Sequence, residues 1–209
     1  MLGFFFTELK QFVVQELSES AWIEILGKVG LASKDSYMNG LYYPDEDMSR
    51  IVVGVSNMTG MSIDQVLTEY GTYVGKDLFS AYKPLIDPSW KTLDFLEHVE
   101  ESIHQVVRAR NRKASPPRLV CNRLTSRELV IDYRSERKLC RVARGIALGV
   151  AGHYGEAIEI VEETCMHKGD PSCKIWISLK QADPVPGPSR VEEEEDIWAE
   201  SDPATADNL

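Results

Sequence analysis

The sequence predicts an α+β fold: a helical amino-terminal subdomain, then a carboxyl-terminal subdomain of antiparallel strands with helices. Three observations carry this. Apolar residues recur every three or four positions through the first ninety residues and again before residue 110. The double proline Pro116-Pro117 then stops helical grammar. Beyond it come short β-rich runs separated by polar turns, with one small-residue helix among them.

The elements follow in order. Phe5, Leu9, Phe12, Val13 and Leu17, then Trp22, Ile23, Leu26 and Val29, mark two amphipathic helices that Ser18 to Ser20 separates. A loop from about Ala32 to Asp47, with Gly40 and Pro44, leads into a helix over Asp47–Asn57. Past Gly60, Ser62 is an N-cap candidate for Ser62–Tyr70, and Tyr70–Phe79 and Asp94–Arg110 are further helical segments. Arg118–Asn122 and Glu128–Tyr133 read as strands. Arg137–Tyr154 reads as a helix whose small residues suit close packing. Ala157–Glu163 and Lys174–Leu179 are two more strands, and Gly169-Asp170-Pro171 is a turn between them.

With 209 residues, 43% hydrophobic and 27% charged, the chain is long enough for a sizeable core and ordinary in composition. Net charge is −10, but eight of the 33 acids lie from Val191 onward with no base among them. The body, residues 1–180, is therefore close to neutral, and residues 181–209 read as an acidic, proline-bearing disordered tail. Neither supplies the basic footprint of a nucleic-acid binder. No run approaches the roughly 20 apolar residues of a membrane span. The start, with Glu8 and Glu16, reads as a first helix rather than a signal peptide. Four cysteines are too few for a disulfide scaffold, so free thiols or a metal site in a cytoplasmic protein are expected.

There is no P-loop, no GxGxxG after a strand, no GxSxG and no HExxH, so catalysis is not expected. His104 lies beside the stripe Leu96, Val99, Ile103, Val106 and Val107, whereas His98 falls nearer the opposite face. Periodicity alone fits a helix-flank histidine with a satisfied hydrogen bond as well as it fits an axial haem ligand. Tyr133-x-Ser135-x-Arg137 puts a phenol, a hydroxyl and a guanidinium on one face of an extended chain, either exposed decoration or a clamp for a carboxylate. Cys140, Cys165-Met166-His167 and Cys173 offer three soft donors and a nearby fourth, either isolated buried thiols or a zinc site. Cys121 stands apart.

Together these residues resemble the haem nitric oxide/oxygen-binding (H-NOX) domains. The match rests on His104, followed after eleven intervening residues by Pro116-Pro117-Arg118-Leu119, the Tyr133-x-Ser135-x-Arg137 triplet and the helical beginning, and it spans roughly residues 1–180. The resemblance implies haem b between the two subdomains, with its iron on His104 and its propionates on Tyr133, Ser135 and Arg137. It further implies Pro117 pressed on the macrocycle and a slot lined by Phe4, Phe5, Leu9, Val74, Leu78 and Ile146. Members that hold oxygen place a distal tyrosine where this chain has Val142, supported from the positions of Leu9 and Val74. The resemblance thus implies a sensor of nitric oxide and carbon monoxide, not oxygen, in which rupture of the bond from His104 carries the signal. No output domain follows in the sequence, so the implied partner is a histidine kinase or a cyclic-di-GMP synthase or phosphodiesterase acting in trans. A proteobacterial subset with zinc resembles the cysteine stretch closely. There three cysteines and a histidine bind the metal; the histidine position is Glu162 here, which leaves Glu162 or His167 as the fourth ligand beside Cys140, Cys165 and Cys173. The rival reading is a haem-free, zinc-bearing small-molecule-binding domain of the 4-vinyl reductase type, whose carboxyl end resembles Gly169-Asp170-Pro171-x-Cys173. A peroxidase-like haem enzyme is disfavoured, for no distal histidine and arginine pair is apparent.

Overall fold

The computed structural model describes residues 1–34 and 36–180; the acidic tail read from the sequence lies outside the described residues. Helix α1 (Gly3–Glu16) buries Phe6, Leu9, Phe12 and Val13, and α2 (Glu19–Lys28) begins where the Ser18 side chain accepts from the Ala21 amide. Helix α3 (Asp45–Thr59) opens two residues before the expected Asp47. Three acids in its first turn favour the positive end of the helix dipole, and Gly60 closes it in the left-handed region at φ 75°. The two segments expected over 62–79 are one helix, α4 (Ile63–Tyr82), opened by a Ser62–Gln65 capping box. A single 3-10 turn (Lys83–Leu85) precedes α5 (Thr92–Val99), a π turn (Glu100–His104) and α6 (Gln105–Arg110).

After the double proline come β1 (Arg118–Thr125) and β2 (Glu128–Arg134), then α7 (Cys140–His153), β3 (Ile158–Thr164) and β4 (Cys173–Leu179). The four strands form one antiparallel sheet in the order β1-β2-β4-β3. The α+β class is the one the sequence predicts. Helix α7 starts three residues later than Arg137, because Ser135–Leu139 forms a turn that includes Lys138 at φ 52°.

Two cores result. The helical one gathers Phe6, Leu9, Trp22, Ile25, Ile51 and Val74. The other packs Leu129, Ile131, Ile175 and Ile177 of the sheet against Phe95, Leu96 and Ile103 and against Ala147 and Val150 of α7. Helices α4 and α7 join them through glycines spaced by four on each helix, hence on one face. A Cβ on Gly71 would lie 2.3 Å from the Val142 carbonyl oxygen, and one on Gly145 would lie 2.0 Å from that of Thr68. The next turn repeats the contact: Gly75 faces Ile146 and Gly149 faces Thr72, at 2.8 Å and 2.4 Å from their carbonyl oxygens. The two backbones touch with no side chain between them.

Gly145→Ala is expected to force the helices apart and cost about 1–3 kcal/mol, as overpacking does. Gly152→Ala, on the same helix with nothing within 4 Å of its Cβ, should be neutral or stabilising. Equal midpoints for the two variants in thermal unfolding would contradict the contact.

Candidate functional site

Between the two cores lies a cavity of about 230 Å³. Helices α1, α4 and α7 contribute Phe5, Leu78, Val142 and Ile146, while the helical run 92–110 contributes Phe95, Val99, Ile103 and His104. Pro117 follows on the approach to β1, and Tyr133, Ser135 and Arg137 come from the end of β2 and the turn after it. The structure therefore brings together most of the residues singled out for a slot. Leu9 and Val74 are exceptions: both are fully buried within the helical core, not on the cavity wall, because α1 and α4 turn these positions toward each other's packing. Phe4 likewise packs against the helical core, away from the wall.

His104 owes its place to the π turn. There the Gln105 amide reaches back five residues to the Glu100 carbonyl, a widened turn that recurs at functional sites. Its Nδ1 lies 3.2 Å from Glu100 Oε2, so Nδ1–H donates to the carboxylate and Nε2 keeps its lone pair. Glu100 also accepts from the Leu119 amide at 3.2 Å and from the Arg108 guanidinium. Burial lowers the His104 pKa against the opposing pull of Glu100, which keeps the imidazole neutral. His98 is different. It stacks on Trp90 at 4.8 Å and bonds the Asp94 carbonyl at 2.8 Å, a helix-flank histidine with a satisfied hydrogen bond.

Arg137 is held from two sides: Nε donates to Asp45 Oδ2 at 2.7 Å and Nη1 to the Ser115 carbonyl at 2.6 Å. Asp45 belongs to α3, so this ion pair ties the turn after β2 to the helical subdomain. Tyr133 is almost fully buried, and burial pushes its pKa up to about 12, leaving a neutral phenol able to donate. Ser135 Oγ accepts from the Arg137 amide at 3.3 Å. Three phenols on the wall escaped the sequence reading. Tyr70 donates to the Phe5 carbonyl at 2.7 Å, Tyr82 extends the α4 face one turn past Leu78, and the buried Tyr42 hydroxyl has no partner among the described residues. Tyr82 at four residues from Leu78 was legible as helical spacing; Tyr42, in a loop, was not.

The second cluster lies across the sheet end. Donor atoms of Cys140, Glu162, Cys165 and Cys173 all lie within 4.8 Å of one another, and the Cys140 and Cys165 sulfurs are 3.9 Å apart. Two thiolates at ~2.3 Å from a tetrahedral zinc stand roughly 3.8 Å apart, so the spacing suits one. His167 is not in the cluster. Its Nε2 bonds the Lys138 carbonyl at 2.7 Å, because the short 3-10 turn Met166–Lys168 points it outward. Of the two fourth donors left open by the sequence, Glu162 is the one in place. Its Oε2 also receives Arg141 Nη1 at 2.5 Å, and Arg141 Nε reaches Asp64 of α4 at 2.8 Å. Burial raises the Cys140 thiol well above its usual range, and its neighbouring thiols raise it further, so a thiolate at Cys140 is favoured only beside a cation. Cys121 stands apart, its thiol 3.4 Å from the Leu96 carbonyl.

Residues 2–162 match the family described as haem-NO-binding (HNOB). The fold is similar to an H-NOX protein from S. oneidensis solved in its Fe(II)NO state, with TM-score 0.79 and 29% identity over 86% of this chain and 99% of that one. An H-NOX protein from K. algicida at 24% identity and TM-score 0.78 has the same fold. Among curated proteins, the soluble guanylate cyclases gcy-32 and gcy-34 of Caenorhabditis elegans are 28% and 26% identical over 72% of this chain, which spans only 23% of each. The chain belongs to the H-NOX family of haem-based gas-sensor domains. Among the described residues no helix is long and apolar enough to cross a membrane.

Proposed function

We propose that residues 1–180 form a haem-based nitric oxide sensor that signals to a partner in trans, a histidine kinase or a cyclic-di-GMP enzyme of the cytoplasm. The supporting observation is His104: a neutral imidazole with its Nδ1 proton engaged and its other nitrogen free, on the wall of an apolar cavity. The rest of the wall fits haem b. Tyr133, Ser135 and Arg137 would take the two propionates, Pro117 would press on the ring, and the partnerless Tyr42 hydroxyl fits a polar edge in the cavity. Phe5, Leu78, Val142 and Ile146 would cover its apolar face.

Haem, when bound, would supply an iron that takes a diatomic gas. His104 would hold that iron through Nε2, and loss of that bond would free the π turn, which joins two helices within the 92–110 run. The cavity wall offers the apolar Val142 and Ile146, with no donor from the positions of Leu9 or Val74. Oxygen, which carries partial negative charge, forgoes a hydrogen bond worth about 1.5–3 kcal/mol there, whereas nitric oxide and carbon monoxide need it far less.

The thiol cluster is read as a structural zinc site of Cys140, Cys165, Cys173 and Glu162, with a carboxylate where the resemblance implies a histidine. Oxidising its thiolates would expel the metal and give a second, redox input.

Two outcomes check these assignments. His104→Gly should lose haem unless imidazole is supplied while His98→Ala retains it, and equal retention would remove His104 as the ligand. Protein purified reduced and without chelators should carry one zinc per chain. Glu162→Ala should release it to a chelator at least about tenfold more readily and His167→Ala should not. Zinc-free protein, or the reverse order, would overturn the site.

A further inference from the structure

Glu100 is a carboxylate with three donors and little contact with solvent: its side chain and that of His104 are each only 17% exposed. Oε2 receives both His104 Nδ1 and the Leu119 amide, each at 3.2 Å, and Oε1 receives Arg108, whose other guanidinium nitrogen reaches the Pro117 carbonyl at 3.4 Å. Two of these donors are fixed independently of the imidazole, one by the backbone of β1 and one by an ion pair. The carboxylate therefore cannot swing away when His104 moves. Residues 100 and 104 sit four apart across the π turn, which is what sets both side chains on the same side of the helix.

A carboxylate on the far nitrogen of a metal-ligating histidine fixes its tautomer and ring orientation and raises its basicity; a backbone carbonyl does so less, lacking the charge. Arg108 works against this by sharing the same carboxylate and drawing negative charge from it.

We propose that Glu100 is the positioning residue of His104: it strengthens the proximal bond that nitric oxide must break and transmits the displacement of His104 to β1 and Pro117, while Arg108 limits that strengthening. The inference rests on the reading of His104 as the haem ligand. It assigns to this chain a gas threshold set by the balance of two side chains, Glu100 and Arg108, neither of which touches the cavity's gas-binding side. Leu119 supplies the mechanical link, since its amide and its neighbour Pro117 bracket the point where the proximal helix meets the sheet.

The test uses the full-length ferrous haem protein and two substitutions with opposite expected effects. In Glu100→Gln the acceptor keeps its shape and loses its charge. The iron–histidine stretch in the resonance Raman spectrum should fall in frequency, the reduction potential should rise, and conversion to the five-coordinate nitrosyl should be faster. In Arg108→Gln the carboxylate is left to the imidazole and all three readouts should move the other way. Glu100→Asp, which keeps the charge, should lie between wild type and Glu100→Gln. Unchanged stretch and potential in both main variants would overturn the proposal and leave Glu100 as a structural ion-pair partner. Shifts of both variants in the same direction would overturn it too, since loosened packing alone acts that way. Absence of any iron–histidine stretch in the unsubstituted protein removes the ligand reading itself, an outcome distinct from the other two.

Discussion

Everything at the site depends on the close approach of α4 and α7. Helix α4 packs mainly into the helical core and α7 mainly into the sheet core, and where they cross there is no room for a Cβ on either side. Packing density in protein interiors is high enough that an added methyl at such a point is felt as displacement of the whole element. The crossing therefore fixes how far the helical subdomain stands from the sheet, and with it the width of the cavity between them. Val142 and Ile146, on the wall of that cavity, are themselves part of the crossing, since their carbonyls face Gly71 and Gly75. A change of cavity contents is thus felt first at the joint between subdomains.

Two ion pairs bridge the helical and sheet sides. Arg137 beside the cavity pairs with Asp45 of α3, and Arg141 beside the thiol cluster pairs with Asp64 of α4. Each candidate site on the sheet side is therefore one ion pair away from the helical subdomain. Tyr133 connects the two sites, since it lines the cavity and pairs in register with Cys173 across β2 and β4. An anion clamp and a thiolate cluster so arranged share a boundary, and altering one alters the electrostatic surroundings of the other.

Much of this was legible in the sequence. The stop at Pro116-Pro117, the Ser18 and Ser62 caps and the alternation of Glu128–Tyr133 are local signals, and local signals fix element type. Tyr133, Ser135 and Arg137 were legible because strand geometry puts alternate residues on one face. What spacing could not supply was tertiary. The glycine pairs on α4 and α7 matter only once the two helices meet. The π turn breaks the 100° step on which the His104 stripe was drawn, so Glu100 as its partner was invisible. Leu9 and Val74 fell on the right helical stripe, yet a stripe is wider than a cavity and the adjoining core claimed them. His167 was adjacent in sequence to Cys165 but turned outward, whereas Glu162, three residues earlier on a strand, faces the thiols.

Gas selectivity is the claim on which the sensing role stands, and the visible spectrum of the reduced protein tests it most directly. Ferrous protein with haem held by His104 should show a five-coordinate spectrum that air leaves unchanged, apart from slow oxidation to ferric, and that nitric oxide converts at once to a nitrosyl spectrum. A stable oxy spectrum in air, or no Soret band in protein supplied with haem, would contradict it.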